Sequence, residues 1–546
     1  MKKIVPLILS IILVATTFAG CGNKNERIDL IYPFGGKVNS YDPQVASTSD
    51  EYLIIENCFE GLVRSDDDSK ITPACATDWS ISSDGLTYTF NIQKGLKWYV
   101  FKSIQEKMGE DYSPEVTAHD FVFALQRAVD KNTNSPLYST VSGIVNAPQV
   151  HGGFKDASAL GVSAIDDYTL QINLSAPDDG FLQTLSTSVA MPCNKEFFES
   201  TKGRYGLDLK YTLFNGQFIV TNVLENSYIL KKRGDKNKYL GPNPTAVSDI
   251  TLKIVDGDTS LSSDLISGYY DAAYLRGYES ESASKKKGIN LIPYSNITWA
   301  FVLNSNKGIL SYPNARHAFS LALSEIDYKD YSYLAKAKGI VPPTCTVNDK
   351  PFTEQASDIT NGLDQDKAVS LWKTAVKGSL TYSAELTVLV PENMKDVAKE
   401  LLQGVQKSIC AISSVNEKKT SFSLKIETMP ESKLKSAVYS GNYDIALYPF
   451  EATTASPISF LESFSAVNLT SFDSNAFDRA LYRAQAESAD KLVSACQKCE
   501  KELIDSFCYV PLFYESNYYA TAKGVSNVQF HPGTGRVSFV NATRKK

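Results

Sequence analysis

The sequence predicts an α/β protein with an open, largely parallel sheet, and three observations predict it. Leu386 to Val390, Phe422 to Ile426 and Tyr443 to Tyr448 read as strands, separated by amphipathic helical stretches from Met394 to Ile409 and from Glu431 to Tyr439. That β-α-β-α-β alternation is the pattern of crossover connections. Earlier segments alternate apolar and polar residues between turn signals, as half-buried strands do. Finally, 546 residues, 43% apolar and 21% charged, suffice for several sizeable cores and exclude a disordered or collagen-like chain.

In chain order, MKKIVPLILSIILVATTFAGC places two lysines before an apolar run from Ile4 to Phe18 and small residues leading into Cys21. This reads as a secretory signal, because the run is shorter than the roughly 20 residues a helix needs to cross a bilayer. Phe18-Ala19-Gly20-Cys21 resembles a bacterial lipobox. Residues 1–20 are then a signal peptide, Cys21 carries the lipid, and 21–27 form a polar leash. A diacyl group with an added amide acyl chain anchors stably where one chain is marginal.

IDLIYPF reads as a first strand and SDEYLIIENCFEGLV as a helix with Leu53, Ile54, Cys58 and Leu62 on its apolar face. Asp66 to Asp68 mark a solvated turn. Asp84-Gly85 precedes the alternating run Leu86, Tyr88, Phe90, Ile92, a strand after a tight turn. Thr117 with Asp120 forms a capping box ahead of Phe121, Ala124, Leu125 and Ala128. Asp166-Asp167 turns into the strand Leu170, Ile172, Leu174. From Asn215-Gly216 to Leu252 short strands alternate with turns, including Gly241 to Pro244. In open sheets of the kind predicted, ligands sit beyond the carboxyl ends of strands, which singles out the residues just after Tyr448.

Charge and motif content narrow the function. Lys+Arg of 55 against Asp+Glu of 61, with no block of five like charges, excludes a nucleic-acid groove. The four histidines are mutually distant, so no His-rich metal site is expected. No nucleophile elbow, zinc-protease helix, phosphate loop or dinucleotide fingerprint occurs, and no enzyme, metal or cofactor is expected. The eight cysteines after Cys21 lack a spacing that dictates pairing. They read as buried small apolar residues, with Cys496 and Cys499 as the only close pair.

Longer strings carry more. PACATDWSISSDGLTYTFNIQKGLKW, VTAHDFVFALQRAVD, GVSAIDDYTLQINL, FNGQF, NARHAFSLAL, SPISFLESF with FDSNAFDRAL, and VPLFYESNYYA together resemble the family-5 extracytoplasmic solute-binding proteins of ABC importers, the oligopeptide- and dipeptide-binding group. The resemblance implies a two-lobed clamp of the periplasmic-binding-protein type (type II, cluster C) with an extra inserted α+β domain. Its expected parts are 28–53, 181–275 and 511–546 as lobe I, 54–180 as the inserted small domain and 276–510 as the α/β lobe II. It further implies a monomer on the outer face of the cell membrane, capturing peptides in the interlobe cleft for a permease with separate ATPases. Backbone pairing and wet side-chain pockets would let one receptor serve many peptides.

The same resemblance points to ligand-binding residues: Phe450, Glu451, Ala452, Thr453 and Thr454 at the strand end, Asn215 and Gly216 near the hinge, and Trp299 facing cleft or core. Phe450 is a stacking wall or a core residue, and Glu451 an amine anchor or a solvated carboxylate. Two departures stand out. Thr453 occupies the place of the aspartate that pairs with a ligand's α-amine, and Leu447 the place of a basic residue. A long insert also separates Trp98 from Thr117, read as a surface loop or a lid. The departures leave two further readings: a receptor for a non-peptide or N-capped ligand (an oligosaccharide or opine-like compound), or a surface lipoprotein without transport. Arg316 reads as the partner of a buried carboxylate.

Overall fold

The computed structural model describes residues 28–66, 70–178, 180–234, 247–255, 260–348, 350–452, 454–485, 487–532 and 535–544. The signal peptide, the leash with Cys21, most of the Asp66 to Asp68 turn, the Gly241 to Pro244 turn and Thr453 lie outside the described residues. No helix among the described residues is long and apolar enough to cross a membrane.

The first strand, Ile28–Phe34, pairs in parallel with Val247–Ile254 at the edge of a four-stranded sheet completed by Ser227–Lys232 and Phe218–Leu224. A second four-stranded sheet, antiparallel throughout, orders Ala76–Ile81, Thr87–Ile92, Thr169–Asn173 and Val162–Asp166. The alternating runs put Tyr88, Phe90, Ile92, Leu170 and Ile172 on one buried face, against helix Ala118–Val129. One apolar core joins both sheets.

The helix read through Leu62 stops at Cys58, where Phe59 turns extended. Tertiary contact ends it. Asn215 donates to the Glu60 carbonyl at 2.8 Å and accepts from the Glu60 amide at 3.0 Å, while the Gly216 amide donates to the Cys58 carbonyl at 2.8 Å. The backbone after Cys58 is thereby recruited by the 215–216 segment instead of its own helix. Trp98 and Thr117 are joined by more than a loop: the insert holds helix Lys102–Met108, pinned by buried Ile104.

In the second half Ser383–Pro391 pairs in parallel with both Ser421–Met429 and Ile445–Glu451, as the crossover pattern requires. The sheet as a whole is not largely parallel. It has seven strands, and its long members Ile289–Leu303 and Tyr509–Ala522 run antiparallel to each other, the former also to Ile445–Glu451. Crossover helices identify only strands that are neighbours in sequence, and these two are separated by some two hundred residues. Helices on the two faces of this sheet bury two further cores.

All eight described cysteines are free, seven buried and Cys410 half-buried. Arg316 donates to the carbonyls of Ser506, Leu310 and Ser311 at 2.8–3.2 Å, so it holds a chain turn and not a carboxylate.

Two buried carboxyls make stability depend on pH. Glu500 accepts the amides of Ile340 and Val341 at 2.8 Å each, yet burial pushes its pKa up to about 7. Burial does the same to Asp120, against the opposing hydrogen bonds from Thr117, Trp98 and Asn194. A carboxyl with a folded pKa above its unfolded value stabilises fully below the unfolded pKa, and that contribution is lost as pH rises through about 7. We expect a higher urea midpoint at pH 5.5 than at pH 8, with Glu500 contributing about 2 kcal/mol to the difference. Glu500→Gln should flatten the profile, and an unchanged slope would count against this assignment.

Candidate functional site

Strand Ile445–Glu451 is buried along its length until Glu451, which stands exposed at its carboxyl end. The loop that follows is held by a neighbouring strand. Asn296 accepts the Ala452 amide through its carbonyl at 2.8 Å, and its side-chain amide donates to Glu451 Oε1 at 3.2 Å. Beyond Thr453, the Ala455 carbonyl accepts from the Thr346 amide at 2.8 Å and Thr454 Oγ1 accepts from the Ser456 amide at 3.3 Å. Ser456 then caps helix Pro457–Ala466. The loop is tied at both ends.

Asn296 sits where the chain passes from one core to another. The long strands Ile289–Leu303 and Tyr509–Ala522 contribute Tyr294 and Tyr519 to the first core, then Ile297, Trp299, Val510 and Phe513 to the second. Between them the register slips: Tyr294 faces Asn517 and Ile297 faces Glu515, leaving Ser295 and Asn296 opposite Ser516 alone. This is a β-bulge, which bends and twists a strand locally. The two strands pass from one core to the other at 294–297 and 515–517.

A charged cluster lies at this crossing. Glu515 is buried and accepts from Trp299 Nε1 at 2.6 Å, the Gly277 amide at 3.1 Å and Arg276 Nε at 3.2 Å. Arg276 Nη2 also reaches Glu431 at 3.4 Å, at the start of helix Glu431–Tyr439, and Lys435 joins Glu431 at 2.8 Å. Burial opposes the charge on Arg276, but Glu515, then Glu431 and Glu451, outweigh it and raise its pKa. Burial likewise opposes ionisation of Glu431, and Arg276 and Lys435 overcome it, lowering its pKa. Three carboxylates thus surround one guanidinium and one ammonium, leaving the cluster net negative. Farther out, Glu462 accepts from Gln485 at 2.6 Å.

The predicted residues fall into two groups. Glu451 and Ala452 meet Asn296 at the crossing, and Thr454 bonds within its own loop to Ser456. Trp299 does not line the cleft: it is fully buried, and its indole N–H is spent on Glu515. Phe450 is 7% exposed and stacks on Phe464 at 4.8 Å within a cluster with Tyr448 and Tyr509, which makes it a core residue. Asn215 and Gly216 bind the 58–60 segment in the first core. Arg276, Asn296, Glu431 and Glu515 were missed. A signal existed for Glu515 alone, a single carboxylate inside the apolar strand VPLFYESNYYA, which must find a partner once buried.

The family model described as bacterial extracellular solute-binding proteins, family 5 middle, matches residues 70–470. The chain belongs to this family. Its members are transport receptors and not enzymes. Among relatives of this solute-binding protein, oligopeptide-binding protein AmiA of Streptococcus pneumoniae is 32% identical over 50% of this chain and 42% of its own. The chain spans about half the length of the first curated relatives it matches. Dipeptide-binding protein DppE of Bacillus subtilis is 23% identical over 90% of this chain and 88% of its own. Among solved structures, the substrate-binding domain of an oligopeptide ABC transporter from Bacillus anthracis superposes with a TM-score of 0.76 at 25% identity, covering 95% of this chain and 99% of that one. Peptide-bound OppA of Listeria monocytogenes shares the fold, with a TM-score of 0.77 at 21% identity over 95% and 100%.

Proposed function

We propose that this solute-binding protein captures peptides between its lobes and delivers them to an ABC permease driven by separate ATPase subunits, working as a monomer tethered to the cell membrane through Cys21. Relatives over most of the chain are named for dipeptides and oligopeptides, which supports the ligand class. The single observation that carries the site is Glu451: an exposed carboxylate at the carboxyl end of the central strand, aimed by Asn296 at the crossing between lobes. Glu451 takes the ligand's α-ammonium in place of the aspartate that Thr453 replaces, with Ala452 and Thr454 supplying backbone groups beside it.

Native mass spectrometry of the soluble form, starting after Cys21 and purified without denaturation, tests the function. A ladder of peptide masses, lost on mild unfolding and competed by defined peptides, is the expected result. A single non-peptide mass would favour the second reading, a receptor for an N-capped or non-peptide solute, which Thr453 and the apolar Leu447 support. For Glu451, a hydrogen bond to a charged group is worth about 1.5–3 kcal/mol, so free peptides should bind roughly 10- to 150-fold more tightly than N-acetylated ones. Glu451→Gln should erase most of that difference in calorimetric titrations. Equal affinity for both peptide forms in the parent would sink the role given to Glu451.

A further inference from the structure

The membrane tether proposed above enters the first lobe at a basic edge, although the chain as a whole carries a net charge of −6. Strand Ile28–Phe34 begins seven residues after Cys21. An extended chain covers at most about 3.6 Å per residue, so a lipid on Cys21 holds the start of this strand within roughly 25 Å of the bilayer. Several segments meet there. Asp29 faces Asp249 on the neighbouring strand, and Asp249 faces Lys231 on the next, with Lys232 following it. The Asp29 carbonyl accepts from Arg544 Nη1 at 3.5 Å, and Arg544 also pairs with Asp271 at 3.1 Å. Arg544 lies opposite Val525, two residues after Lys523. Ala522, just before Lys523, lies opposite Ile289, and Lys285, Lys286 and Lys287 lead into that strand.

Positive charge accumulates along this edge. Lys231, Lys232, Lys286, Lys287, Lys523 and Arg544 are exposed. Lys285 pairs with Glu281 at 2.7 Å. Seven basic side chains thus meet four acidic ones, Asp29, Asp249, Asp271 and Glu281, and Lys545 and Lys546 continue the sequence after Arg544. An anionic sheet attracts such an edge and repels the remainder of a net-negative protein, so the field turns the molecule as well as holding it.

We propose that this edge docks on the anionic lipid headgroups of the membrane that carries the tether. This rests on the tethered-receptor reading above and adds a second attachment to it. A lipidated residue fixes one point and leaves the protein to rotate about it, whereas a charged edge beside that point fixes the direction. Strand Ile289–Leu303 starts at the edge and reaches the crossing at Ile297, about 25 Å farther along at roughly 3.3 Å per residue. Docking therefore sets the height of the cleft above the bilayer in which the permease sits.

The test is cosedimentation of the soluble form, starting after Cys21 and so without lipid, with vesicles of phosphatidylcholine alone or mixed with phosphatidylglycerol. The parent should bind the mixed vesicles at low salt, leave the neutral ones in solution, and weaken as added salt screens the contact. The double variants Lys231→Gln with Lys232→Gln and Lys286→Gln with Lys287→Gln should each bind less, by roughly fivefold per lysine, the scale of one basic side chain near an anionic surface. Lys373→Gln with Lys377→Gln, exposed on helix Gln365–Ser379 of the second lobe, makes the same change in net charge and should leave binding unaltered. Equal binding to neutral and mixed vesicles, or an equal loss in the second-lobe pair, would overturn the proposal. So would capture of soluble poly(glycerol phosphate) without vesicle binding, which would assign the edge to a wall polymer. The mass of the chain extracted from membranes reports on Cys21 separately: an unmodified cysteine defeats the tether, and the vesicle result still decides the edge.

Discussion

Glu515→Ala should lower the stability of the protein by about 3 kcal/mol, the largest effect expected of any single charge removal at the crossing. Glu515 is buried and takes three donors, and its loss leaves the Trp299 indole N–H buried without an acceptor. Breaking a buried pair costs about 3–5 kcal/mol because the remaining group has lost its compensation. The low end applies here, since Arg276 is 37% exposed and keeps Glu431. Glu515→Gln retains the size and one acceptor and should cost less, while Trp299→Phe should cost about 2 kcal/mol, one hydrogen bond to a carboxylate. Urea titrations of the three variants check the ranking. If Glu515→Ala proves as stable as the parent, the cluster is not a structural joint between the lobes.

Gly216→Ala should cost about 3 kcal/mol through backbone collision alone. A Cβ at that position would stand 2.4 Å from the Cys58 carbonyl carbon and 2.6 Å from the Phe59 nitrogen. Those atoms cannot rotate away as a side chain would, so the strand must lift and the Asn215 clasp on Glu60 opens with it. Overpacking usually costs 1–3 kcal/mol, and the absence of a flexible neighbour puts this case at the upper end. Gly36→Ala, where nothing lies within 4 Å, is the control and should change stability by less than about 0.5 kcal/mol. Equal melting temperatures for the two variants would show that the 58–60 and 215–216 segments can separate without penalty.

These expectations mark where residue patterns suffice. Helix Glu431–Tyr439, the strand through Phe422, Leu424 and Ile426, and the capping box of Thr117 and Asp120 were all legible, because each depends on a repeat or a cap within a dozen residues. The end of the first helix was not, since Asn215, far along the chain, decides it. The antiparallel majority of the large sheet was hidden for the same reason.

The candidate site divides likewise. Glu451 could be singled out from its place after a buried strand, a local argument that the exposed carboxylate respects. Phe450 and Trp299 could not be sorted between cleft and core, because an apolar residue reads the same against a ligand as against Phe464 or beneath Glu515. Arg276, Asn296 and Glu431 carry no local mark. They matter because a bulge, two long strands and a helix start bring them together at one crossing.

The sequence by itself determined the family, the α/β class and those secondary elements that carry a clear repeat, since periodicity, caps and turn residues act over short spans. Only the tertiary structure decided where the lobes join, which predicted residues are core, and which charges face one another, because the attraction between Arg276 and Glu515, 239 positions apart, exists only after folding has excluded the water that would otherwise screen it.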